Sequence, residues 1–295
     1  VQEKLVERKP KQGFYVSAGG SRRLPTVAIF SETKGHLYEN QTNRLVRGFQ
    51  ERNCLTIIVD IGEFCSNKAR QGEILEDIVG RDLFGMVIDG VGDFPYDLVA
   101  RLSPRLPRIA FFNRFESRLE FKAVYVLTDS LRGISDAAAH LARKYRRPMF
   151  VIHDLSIARE NVRHTSGDDC VSAYRKTARK FKLPELVFFD NGRNLSDLEE
   201  IMGGAGRPDA ILAMGDFRAK KIFDICKRQG LKVPGDVALM GYYNTPWAEM
   251  LEVPLSSVSI REELIADTVV DRMMEDRFRP DKIYVRPELV LRESA

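Results

Sequence analysis

Nine short apolar runs punctuate the chain: Val27–Phe30, Leu55–Val59, Met86–Ile88, Ile109–Phe112, Val124–Leu127, Met149–Ile152, Leu186–Phe189, Ala210–Met214 and Val237–Met240. They are rich in Val, Ile and Phe and do not alternate with polar residues, which is the pattern of strands covered on both faces. Helical spacing fills the gaps. Leu131, Ile134, Ala138 and Leu141 follow the N-cap candidates Asp129 and Ser130. Ile222, Phe223 and Cys226 form an apolar stripe opposed by Lys220, Lys221 and Lys227, and Gly230 stops that helix. Leu264, Ile265, Thr268, Val269 and Met273 mark a late helix at about Glu262 to Asp276.

This alternation predicts an α/β fold with parallel, helix-covered sheets. One sheet of nine or more strands would be large, and two doubly wound, Rossmann-like lobes fit the length of 295 residues better. The expected lobes are about 26–127 with 260–279, and about 128–259 with 280–295. The first crossing falls near Leu127–Thr128, and the late helix returns to the first lobe. Before residue 26, Ser17–Pro25 (SAGGSRRLP) reads as flexible, with 18–25 as a linker.

Composition adds limits. The chain is 44% hydrophobic and 30% charged, ordinary for a globular protein. No apolar stretch approaches the ~20 residues of a membrane span, and the charged start VQEKLVERKPKQ lacks a signal-peptide core, so a cytoplasmic location without membrane contact is expected. Cys54, Cys65, Cys170 and Cys226 form no C-x-x-C pair and read as free thiols of a reducing compartment. The net charge of +4 is accounted for by residues 1–25, where Lys4, Arg8, Lys9, Lys11, Arg22 and Arg23 outnumber Glu3 and Glu7. A basic arm on a neutral body places any polyanion contact at that end; a solvated tail is the plainer alternative.

In open α/β sheets ligands bind beyond the C-terminal ends of the strands. Nearly every run here ends in hydrogen-bonding side chains: Ser31, Glu32, His36 and Tyr38; Asn113 and Arg114; Asp129; His153; Asp190; Asp216; Tyr243 and Asn244. Convergent polar groups with an aromatic face suit a hydroxyl- or amide-bearing ligand, and Tyr243 and Trp247 are candidates for that face. Each residue alone reads as an ordinary polar loop position; it is their agreement that points to a site. Replacing Trp247 or Asp216 by Ala is expected to abolish binding with little loss of fold. His36, His140, His153 and His164 have no metal-ligand spacing, and neither a nucleophile elbow nor a Walker phosphate loop is present. Catalysis, a metal and a cofactor are therefore not expected.

The stretch from Arg207 to Asp216 (R-P-D-A-I-L-A-M-G-D), followed by Gly230 to Asn244 (G-L-K-V-P-G-D-V-A-L-M-G-Y-Y-N), resembles the lactose/galactose-repressor (LacI/GalR) family. Pro254–Val258, Arg286–Ser294, Val126–Ser130 with Gly133, and Arg47-Gly48 resemble further motifs of that family, over roughly residues 26–295. The resemblance implies a periplasmic-binding-protein-like (type I) effector domain with three lobe crossings. It also implies a small metabolite, sugar-like, in the cleft, a homodimer, and ligand-dependent DNA affinity of a transcriptional repressor. Two positions depart from the pattern. The family's cleft arginine falls on Cys170 and its cleft aspartate on Tyr243, which speaks against an ordinary pentose or hexose; the adjacent Asp169 and Asn244 are candidate substitutes, and a bulkier, less polar or aromatic ligand is equally open.

At the N-terminus, Leu5–Ser17 resembles the wing of a GntR-type winged helix, with Arg8, Lys9 and Lys11 toward phosphates. On that reading residues 1–17 are a wing remnant, and most of the operator-binding domain lies before residue 1. Such a combination resembles arabinose-responsive regulators. The alternative function is a solute-binding protein of a transport system.

Overall fold

The computed structural model describes residues 6–9, 13–16, 24–33, 39–90, 94–115, 119–153, 165–192 and 195–295. All nine apolar runs are strands. In the first lobe they are β3 (Thr26–Ser31), β4 (Leu55–Asp60), β5 (Gly85–Asp89), β6 (Ile109–Asn113) and β7 (Val124–Thr128); in the second, β8 (Pro148–His153), β9 (Leu186–Asp190), β10 (Ala210–Ala213) and β11 (Ala238–Tyr243). Before them, β1 (Val6–Lys9) and β2 (Gly13–Val16) pair as an antiparallel hairpin, Val6 opposite Val16 and Lys9 opposite Gly13. Three short strands complete the sheets: β12 (Ser256–Ser259), β13 (Asp281–Val285) and β14 (Glu288–Val290).

The two six-stranded sheets have one plan. The first runs β13-β7-β6-β5-β3-β4 and the second β14-β12-β11-β10-β8-β9. In each lobe the first strand lies between the second and the third, so the winding reverses beside it, which is the switch point where doubly wound sheets hold ligands. Only β14 runs antiparallel to its neighbour in these sheets.

Alternation along each strand sends successive side chains to opposite faces, and this builds four cores. In lobe 1, Ala28, Phe30, Met86, Ile88 and Phe111 pack under α2 (Ile61–Ser66), α3 (Gln71–Val79) and α4 (Tyr96–Leu102). Val27, Ile29, Val87, Ala110 and Phe112 pack under α1 (Glu39–Gln50) and α10 (Glu262–Met274). In lobe 2, Phe150, Ile152, Leu212, Met240 and Tyr242 face α5 (Ser130–Lys144) and α6 (Thr165–Lys180). Met149, Val151, Ile211, Ala213 and Leu239 face α7 (Leu195–Gly203), α8 (Asp216–Arg228) and α9 (Trp247–Met250). Asp129 caps α5, its carboxylate accepting from the Arg132 N–H at 3.1 Å. Ile134, Ala138 and Leu141 are buried as their spacing requires, whereas Leu131 is exposed and Ala137 takes its place.

The chain crosses between lobes at Asp129, at Ile260–Arg261 and at Arg286–Pro287. Between the second and third crossings α10 packs against α1, β6 and β7 of lobe 1. Residues 281–285 were expected in lobe 2, but β13 pairs in parallel with β7, Asp281 opposite Val124 and Val285 opposite Thr128. The reason is packing: Ile283 and Val285 complete the core beneath α10, so the strand stays with lobe 1 and only β14 returns.

Candidate functional site

A cavity of about 460 Å³ opens at the switch point of lobe 2. Ile152 and His153 come from the tip of β8, Asp190 from β9, and Tyr243 from β11. Met214, Gly215, Asp216, Phe217, Arg218 and Lys221 come from the turn out of β10 and the first turns of α8. Cys170 on α6 and Ser130 at the start of α5 close the sides, and Arg114, beyond the tip of β6, reaches in from lobe 1. The space therefore lies between the lobes, with most of its wall on the second. Gly215 turns strand into helix at φ +116°, a conformation that strains any side-chain-bearing residue.

Two buried carboxylates organise the floor. Arg218 Nε donates to Asp190 Oδ2 at 2.8 Å, and the Gly192 N–H donates to Oδ1 at 2.8 Å. Arg218 also donates to the Met214 carbonyl. Burial alone raises the Asp190 pKa, but the Arg218 hydrogen bond, the Gly192 N–H and the nearby positive charge outweigh it, and the carboxyl titrates below the ordinary aspartate value. Asp216 is 1% exposed. Its Oδ2 accepts from the Thr245 N–H at 2.6 Å and the Thr245 hydroxyl at 2.9 Å, and its Oδ1 from the Ser257 hydroxyl at 2.6 Å. Burial outweighs these bonds and raises its pKa. Glu262, just past the second crossing, is pushed up to about 7 by burial and then by the charges of Asp216 and Glu263.

The strand tips of lobe 1 form a separate buried polar cluster. Gln41 and Asn113 exchange two amide hydrogen bonds at 2.9 Å, Asn113 donates to Asp89 at 3.3 Å, and Ser31 and Thr42 share a hydroxyl contact at 2.7 Å. Asn113 holds φ +62° here, and Arg114 follows it toward the cleft. Gly90 makes this approach possible: a Cβ there would lie 1.9 Å from the Arg114 carbonyl oxygen.

Of the residues singled out from the sequence, Arg114, His153, Asp190, Asp216 and Tyr243 line the cavity. Ser31 and Asn113 are buried in the lobe 1 cluster. Glu32 lies beside it, its pKa raised by partial desolvation against the pull of Arg114. Asp129 is engaged as a helix cap. The Asn244 side chain accepts from Arg292 at 2.8 Å. Asp169 is exposed on α6. Trp247 packs 6.3 Å from the Phe217 ring, behind the lining. His36 and Tyr38 lie outside the described residues. So does Lys11, whereas Arg8 and Lys9 fall on β1 of the hairpin.

The sequence reading missed Phe217, Arg218 and Lys221 as a group. The signal was present: they fall within eight residues of the β10 tip, and Phe217 and Lys221 share a helix face at i, i+4. Cys170 was placed in the cleft only through the resemblance, and it does line the wall; burial and the neighbouring Asp169 push its thiol up to about 12. Among the described residues no group of His, Cys, Asp or Glu is arranged to hold a metal ion, and no helix is long and apolar enough to cross a membrane.

Two similar lobes with a ligand-sized cleft at the switch point define a type I, periplasmic-binding-protein-like receptor fold. Residues 137–295 match the model of the periplasmic binding protein-like domain family. A lactose operon repressor of Rhizobium radiobacter is 35% identical over 92 residues, 30% of this chain and 81% of that protein. The HTH-type transcriptional repressor PurR of Escherichia coli is 23% identical over 260 residues, covering 83% of this chain and 73% of that one. Among solved structures, a transcriptional regulator CelR–cellobiose complex superposes with a TM-score of 0.72 at 20% identity, over 92% of this chain and 84% of that one. A LacI family regulator of Enterococcus faecium with bound ribose gives 0.71 at 14% identity, over 91% and 98%. The chain belongs to the periplasmic binding protein-like family, as an effector domain of the lactose-repressor type.

Proposed function

We propose that this chain is the sensing part of a transcriptional regulator, a repressor that binds a small hydroxylated metabolite between its lobes and passes that event to operator DNA. The observation that carries the reading is the cavity itself: a wall built by lobe 2 and capped by Arg114 from lobe 1. A ligand touching both walls favours the closed arrangement by its differential contacts, and that difference in free energy is what a sensor transmits. The named relatives are repressors, and two structural neighbours carry sugars, which supports a sugar-related effector and a binding role in place of turnover.

The same reading makes the protein a homodimer, supported by the edge strand β4, whose Leu55 and Ile58 are 54% and 48% exposed. It also makes the β1–β2 hairpin the wing of a winged-helix reader, for which Arg8, Lys9 and Lys11 are the candidate phosphate-binding residues; the antiparallel pairing of its two strands supports this.

Isothermal titration against pentoses, hexoses, disaccharides, sugar acids and nucleosides tests the sensing role. Saturable one-to-one binding that Arg114→Ala weakens supports it. Silence across the whole panel opposes it, as does a full-length regulator whose mobility shift on its operator ignores every compound.

A further inference from the structure

We propose that the cleft is built for an anionic effector, a carboxylate or phosphate on a hydroxylated skeleton, received by Lys221 and Arg218 on the first turns of α8. The inference rests on the sensing role above and names the chemistry of that same site.

Hydrogen-bond donors outnumber available acceptors along the Arg218–Lys221 side of the cavity. A neutral sugar needs side chains that accept from its hydroxyls as well as donors to them. The two carboxylates of the wall are already engaged. Asp190 takes hydrogen bonds from Arg218 and Gly192, and both oxygens of Asp216 are held by Thr245 and Ser257. Where the family resemblance sets an arginine and an aspartate, the wall carries a thiol held neutral by burial, Cys170, and a phenol, Tyr243.

The donors are not used up in the same way. Arg218 uses Nε on Asp190 and one Nη on the Met214 carbonyl, which leaves its other Nη. Among the described residues the Lys221 ammonium meets no carboxylate; it lies 4.9 Å from the centroid of the Phe217 ring. His153, on the facing strand tip, adds ring nitrogens without a described hydrogen bond. A guest that completes this wall brings its own acceptors, and an anion does so with charge-assisted bonds, roughly twice as strong as neutral ones. The exposed Phe217 ring then receives the apolar face of the skeleton.

The test is isothermal titration of the chain with D-gluconate, D-galacturonate and D-glucose 6-phosphate beside the neutral D-glucose and D-galactose, at low and high ionic strength. The first two report carboxylate and the third phosphate. The expected result is that at least one acid binds more tightly than its neutral counterpart by roughly tenfold or more. Added salt weakens that binding, Lys221→Gln weakens it by a similar factor, and Lys221→Arg restores it, with thermal melting confirming that both variants fold. Equal or tighter binding of the neutral sugars, unmoved by Lys221→Gln, overturns the anion inference and leaves the sensing role standing. No binding of any compound, charged or neutral, counts against both.

Discussion

Arg218 Nε lies 2.8 Å from Asp190 Oδ2 on the floor of the cleft, tying the first turn of α8 to the tip of β9. The side chains are 17% and 5% exposed, so the pair is shielded from water, and removing one partner strands the other. Arg218→Met is therefore expected to cost about 3 kcal/mol in urea unfolding, and the double variant Asp190→Asn with Arg218→Met to recover much of that loss. The Asp190 pKa is lowered on folding, so its contribution is fully present above the unfolded value and is lost as pH falls through the folded one. Asp190→Asn should accordingly flatten the acid limb of the stability curve.

Glu262 has the opposite sign. Its folded pKa of about 7 lies above the ordinary glutamate value of 4.5, so the folded chain holds a proton that the unfolded chain releases. Stability from this group is complete below the unfolded pKa and is lost as pH rises through about 7. Glu262→Gln should leave the melting temperature unchanged at pH 3.5, below the unfolded pKa. At pH 8 it should raise stability by about 1–3 kcal/mol, allowing for solvent screening.

Asp216 binds Thr245 and Ser257 with both oxygens while nearly excluded from water. Asp216→Ala should thus lower stability by at least about 3 kcal/mol in chemical unfolding, because three buried donors lose their acceptor together. This reverses the expectation drawn from the sequence, that the change would spare the fold. Loss of ligand binding without loss of stability would contradict this.

The exposed edge of β4 makes an oligomer prediction. Light scattering at micromolar concentration should give a dimer without ligand or DNA. Ile58→Lys, which places a charge on the edge, should shift it toward monomer with little change in melting temperature. A wild-type monomer would remove the proposed dimer.

How far the sequence could be read follows from its physics. Strands β3 to β11 were visible as unbroken apolar runs, and with them the two-lobed plan, although β4 and β9 are edge strands that expose Leu55, Ile58 and Phe189. Strands β12 and β13 were not, because Ser256–Ser259 and Asp281–Val285 carry polar residues at the sheet margin and lack that signature. Five residues at or just beyond strand tips line the cavity: Arg114, His153, Asp190, Asp216 and Tyr243. What a tip does with its polar atom is decided by neighbours distant in sequence: Asp129 caps a helix, Asn244 meets Arg292, and Asp216 is 41 residues from Ser257. Conversely, Lys221 read as the solvated side of an amphipathic helix, since periodicity cannot tell water in a cleft from water outside it.

Hydrogen–deuterium exchange, with and without the tightest-binding compound of the titration panel, tests the central claim most directly. If a metabolite is gripped between the lobes, protection should appear together around Asn113–Arg114 in lobe 1 and around Ile152–His153 and Met214–Lys221 in lobe 2. Protection confined to one lobe, or lying away from these strand tips, would contradict the account.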